Sequence, residues 1–152
     1  MNLLHTVFKN QDQFGTSLSP AEAFAAIGVA AIASDGYLSD DERQRIVDLL
    51  FGVDLFQDYS EPRLREMLEN LFNQLSTRGI ELLVAIARES LPSEFQETAL
   101  DVAIDLILFD GKFSTEEKEF LQYLWKVLDI PPENANRILN AKAAKYSVRI
   151  GF

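Results

Sequence analysis

The 152-residue sequence has no cysteine, one histidine and one tryptophan. The missing thiols exclude disulfides, cysteine nucleophiles, iron-sulfur clusters and cysteine-based zinc sites together. The only imidazole, His5, falls in a short leading helix expected over residues 3 to 12, where it reads as a surface residue and leaves no catalytic triad to assemble. No glycine-rich phosphate loop is present, and no apolar run approaches the roughly 18 residues of a membrane span. The start, M-N-L-L-H-T-V-F-K-N, lacks a basic region before its apolar stretch and a small-residue cleavage site, so the expectation is a cytoplasmic chain without a signal peptide. Basic residues are also scarce, 14 against 24 acidic ones for a net charge of −10, which argues against a phosphate-tracking surface and hence against nucleic acid. No pair of carboxylates stands out as acid and base among so many, so the chain reads as a non-enzyme.

What is present is apolar and helical. An apolar fraction of 47% with eleven Phe suits one domain over residues 1–152 with a sizeable core. Ser19, Pro20 and Glu22 are three start signals for a helix reaching about Ala33, rich in Ala and Gly and so suited to close contact on several faces. Further helices are expected from Asp40 to Phe51, from Ser60 with Pro62 in its first turn, and from Arg78 to Ser90, the last apolar enough to lie at the core's centre. A fifth, capped by Ser93 with Gln96, runs to Phe109; a sixth spans Thr115 to Leu128 and a seventh Glu133 to Ala144, before a loose tail from Tyr146. No alternating pattern argues for a strand. The fold class is therefore all-α, a compact bundle of seven to eight helices.

One unit is used twice. The stretch A-I-A-S-D-G-Y-L-S-D-D-E returns 75 residues later as L-I-L-F-D-G-K-F-S-T-E-E, pairing Asp35 with Asp110, Gly36 with Gly111, Ser39 with Ser114 and Glu42 with Glu117. Each copy reads as a helix, an Asp-Gly turn and a new helix opened by a capping box. Repeat units of about 17–75 and 92–145 imply an internal pseudo-two-fold, with residues 19–51 superposing on 94–126.

Set against the calcium loop of EF-hands, each copy matches the second half and fails the first: positions 1 and 3 are Ala31 and Ala33, or Leu106 and Leu108. Two readings follow. In one, Asp and Gly make a turn while Ser and Glu cap a helix, with no ligand. In the other, Asp35, Glu42, Asp110 and Glu117 share one divalent cation, with Asp105 or Asp41 as outer ligands; such an oxygen set favours calcium, magnesium or manganese. A second candidate is the stripe Glu94, Glu97, Asp101 and Asp105 on the fifth helix, unbroken by any basic residue and so suited to a cation, an Arg from elsewhere or a protein partner. Of that stripe, Glu97, Asp101 and Asp105 form the second-choice metal set. From Lys126 onward five basic residues face two acidic ones, leaving the remainder at −13.

The doubled D-G-x-h-S-x-x-E motif resembles the tellurite-resistance TerB family, over about residues 17 to 140. The resemblance implies a compact all-helical domain in a cytoplasmic stress-associated protein, with acidic residues that bind metal or partner proteins. The alternative it leaves is a metal-independent protein-interaction module of the co-chaperone-associated type, which uses the acidic stripe and the basic C-terminal segment as its surfaces.

Overall fold

A computed structural model describes residues 17–34 and 39–150. Among them the chain forms seven α-helices and no strand: α1 (Pro20–Ile32), α2 (Asp40–Leu50), α3 (Glu61–Arg78), α4 (Ile80–Ser90), α5 (Gln96–Leu108), α6 (Thr115–Val127) and α7 (Pro132–Tyr146). Two 3₁₀ turns, Asp54–Phe56 and Ser93–Phe95, complete the order. The all-α expectation holds. The leading helix, His5, and the first turn with Asp35 and Gly36 lie outside the described residues.

Four of the seven described helices start with a side chain that satisfies an orphan N–H group. Reciprocal capping boxes open α1 (Ser19 and Glu22), α2 (Ser39 and Glu42) and α6 (Ser114 and Glu117), and Ser60 caps α3. Ser93 does not cap α5. The chain instead makes a 3₁₀ turn there, and α5 starts after Phe95 without a side-chain cap. The Phe95 ring meets Phe24 edge-on at 6.3 Å, so the packing of an aromatic side chain has overridden the local Ser signal.

The core is organised around α1, not around α4 as the apolar content of that helix suggests. Eleven of the thirteen α1 residues are buried, and α2, α3, α4, α5 and α6 all pack against it. Its alanines let the surrounding axes close in, and at Gly28 a Cβ atom would stand only 2.9 Å from Ile46 Cδ1, so α2 lies on bare backbone there. In α4 only Leu83, Val84 and Ala87 are buried, while Leu82 is 49% exposed. Gly79, at φ +86°, is the sole residue between α3 and α4, a left-handed joint that suits glycine. Trp125 is in the core, as expected.

The tail is not loose. Ser147 turns left-handed after α7, Val148 N–H returns to the Ala143 carbonyl at 2.9 Å, and Val148 and Ile150 pack on the core. No helix among the described residues is long and apolar enough to cross a membrane.

The caps carry a testable consequence. Ser39→Ala and Ser114→Ala should each lower stability by about 1 kcal/mol in urea denaturation, whereas Ser93→Ala, which removes no cap, should stay within about 0.5 kcal/mol of wild type. Equal losses at all three positions would reject this assignment of caps.

Candidate functional site

At the second Asp-Gly turn the carboxylates have structural duties. Asp110 is exposed, and its Oδ1 accepts the Lys112 N–H at 2.9 Å while Gly111 sits at φ +80°. That is an Asx turn, closed by the residue type that tolerates the left-handed backbone. Glu117 is 8% exposed, and its Oε1 accepts the Ser114 N–H at 2.8 Å while Ser114 Oγ accepts the Glu117 N–H at 3.1 Å. The first copy repeats the box: Glu42 Oε1 accepts Ser39 N–H at 3.0 Å, with Asp41 exposed in the same helical turn. Asp35, the fourth residue of the first-choice set, lies outside the described residues. Among those that are described, no three His, Asp or Glu side chains converge as a metal site.

The acidic stripe of α5 is a different kind of place. Asp105 is a buried carboxylate at 5% exposure, which needs compensation because its charge has lost water. The compensation comes from α7. Lys142 Nζ lies 2.6 Å from Asp105 Oδ2 and 2.8 Å from Asp101 Oδ1, and Lys145 Nζ lies 3.4 Å from Asp105 Oδ1. Tyr146 donates its hydroxyl proton to Asp105 Oδ1 and accepts a hydrogen bond from Arg45 of α2 at 2.6 Å. The Arg45 guanidinium also stands over the Phe109 ring, 5.4 Å from its centroid. Nearer the start of the helix, Asn134 donates to Glu97 at 3.1 Å and Arg137 stands 3.9 Å away. The stripe thus meets the basic segment of its own chain. Lys142, Lys145 and Tyr146 occupy one helical face at i, i+3 and i+4, a spacing visible in the sequence, but the 37 to 41 residues back to Asp105 hid the pairing.

Comparison with known proteins bears out the resemblance to the TerB family. The family model described as "Tellurite resistance protein TerB" matches residues 21–140, from the first turn of α1 into α7. No curated protein and no solved structure matches the chain.

The Asp105 cluster makes a signed pH prediction. Burial pushes the Asp105 carboxyl up, but hydrogen bonds from Lys142 and Tyr146 and the charges of Lys142 and Lys145 outweigh it and hold the group below its ordinary 3.8. Burial likewise pushes Lys142 down, and Asp101 and Asp105 more than reverse this, leaving it above 10.5. The folded carboxyl binds its proton less readily than the unfolded one, so its contribution is full above the unfolded value and is lost as pH falls through the folded one. The lysine contribution is full below the unfolded value and fades as pH rises through the folded one. Asp105→Ala should cost roughly 2–3 kcal/mol at neutral pH, since Lys142 keeps Asp101. Urea midpoints should show that difference shrinking below about pH 4. A difference independent of pH would mean that the loss is one of packing.

Proposed function

Because this chain belongs to the TerB family of tellurite-resistance proteins, we propose that it is a cytoplasmic, stress-associated, non-enzymatic protein that acts by binding. The finer part of this proposal is that its two acidic Asp-Gly turns hold one divalent cation through Asp35, Glu42, Asp110 and Glu117. Support comes from the repeated capping box, which fixes Glu42 and Glu117 in the same pose at the starts of α2 and α6 and uses Oε1 of each for the cap. A carboxylate held in this way is already oriented. The set offers hard oxygens, and calcium, magnesium and manganese accept these where zinc takes nitrogen and sulfur. The α5 set of Glu97, Asp101 and Asp105 ranks second because lysine ammonium groups already stand against Asp101 and Asp105.

The reading from another class is a metal-independent interaction module. Its two surfaces, the acidic stripe and the basic segment, are here engaged with each other across α5 and α7. A partner at that place would have to displace them.

Calorimetric titration of chelator-treated protein with calcium, magnesium and manganese tests the cation. We expect one weak site, with a dissociation constant on the order of 10⁻⁴–10⁻³ M because several ligands must be water. Asp35→Asn combined with Asp110→Asn should abolish both the heat and any rise of Tm in calcium. Heat that survives the double substitution would move the site elsewhere, and no heat in the wild type would leave the interaction module as the standing reading.

A further inference from the structure

The cations of this chain are unevenly used. Arg43 pairs with Glu69, Arg65 with Glu61 and Arg88 with Asp129, while Arg137, Lys142 and Lys145 serve the α5 stripe. Other described acids have no cation, and three of these line one groove. Between the start of α4 and the outer face of α6 runs an open groove of about 420 Å³, with Glu81 on one wall and Glu116 and Glu119 on the other. No described cation forms an ion pair with any of these three glutamates.

The floor of the groove is apolar. Phe120 is 6% exposed, and Ile80 and the Tyr123 ring are partly buried against the core. The Tyr123 hydroxyl donates to the Glu81 carbonyl at 3.0 Å, which ties α6 to α4 across the groove. Leu82, one of two large apolar side chains left exposed among the described residues, follows Glu81 and lines the adjoining hollow with Ile80.

A bare metal ion does not suit this place, because a hard cation needs six to eight converging oxygens and the described acids do not converge. Cations carried on flexible apolar stems do suit it: Lys and Arg lay their methylenes on an apolar floor and keep their charges at the rim. A large apolar side chain between them would cover the floor made by Ile80, Phe120 and Tyr123. We propose that the groove between α4 and α6 docks a basic amphipathic segment of another protein, with Lys or Arg side chains placed on either side of one large apolar residue. Charge complementarity argues for this occupant, since the chain's own basic helix is spent on α5. The proposal is independent of the cation at the Asp-Gly turns.

The test uses the full ¹⁵N-labelled chain, chelator and about 150 mM salt, which screens diffuse attraction. The probe is a short synthetic Lys/Leu amphipathic peptide, compared with a Lys/Ser peptide of equal charge. Saturating shifts should centre on Ile80, Glu81, Leu82, Glu116, Glu119 and Tyr123. Three exposed pairs amount to roughly tenfold in affinity, so the combined Glu81→Gln, Glu116→Gln, Glu119→Gln variant should bind about tenfold more weakly. A charge-matched control, Glu66→Gln, Glu89→Gln, Glu133→Gln, should bind like wild type, and the Lys/Ser peptide should bind more weakly than Lys/Leu. Equal losses in both triple variants, equal binding of both peptides, or shifts centred on α5 and α7 would overturn the proposal. So would shifts of the groove residues with protein concentration alone, which would place a second copy there, or displacement of the peptide by calcium. Failure of the calcium titration in wild type leaves this experiment unaffected, so the two readings fail separately.

Discussion

Everything in this structure follows from a helix that touches protein on nearly every side. With eleven of thirteen residues buried, α1 has room for neither charge nor bulk along most of its length, and its sequence P-A-E-A-F-A-A-I-G-V-A-A-I obeys that limit. Burying backbone so completely is tolerable because a helix satisfies its own N–H and C=O groups except at its ends. The Ser19 and Glu22 box closes one end. Polar chemistry is thereby driven off the central helix, onto its caps and onto the helices that wrap it.

The Asp105 cluster is the main exception, since it carries charge into a buried position. Placing a carboxylate there costs free energy that an apolar residue would not, and a paired buried charge commonly no more than recovers that cost. Its value lies in position. Among the described residues, Asp105 accepts donors that reach it from α7, and Tyr146 hands the connection on to Arg45 of α2, so one carboxylate links three helices. An apolar residue at Asp105 would offer α7 none of these directional contacts.

Helix existence and most starts were legible because their signals are local. Ser19, Ser39, Ser60 and Ser114 each act within three residues, and the structure uses all four. Ser93 carried the same signal and was overruled by Phe95 packing on Phe24, a contact between residues 71 apart that no local rule contains. The role of α4 is hidden from local pattern for a related reason. Its apolar content is high all round, but Leu82 and Ala85 face outward, and only the tertiary placement shows which side α1 takes. In the acidic stripe, the sequence showed the need for a cation and concealed its source, because the lysines arrive on a different helix.

The repeated turn shows why an acidic motif can be plain in sequence and still leave its chemistry open. A capping Glu is held by a charge-assisted hydrogen bond to a backbone N–H, worth roughly 1.5–3 kcal/mol, and a cation that pulled it away would expose an orphan donor at the helix start. Any ion at these turns must therefore work with the cap in place. That confines it to oxygens the cap does not use and to water for the rest of its shell. The same residues then stabilise the fold without an ion and would hold one only weakly, since folding and any ion would draw on Glu42 and Glu117 together. A carboxylate that is already oriented costs a cation little to recruit, yet one with half its oxygens committed has little to give. Weak affinity is thus what the cap would impose on any ion held there, and a tight site could arise only where the cap had been abandoned.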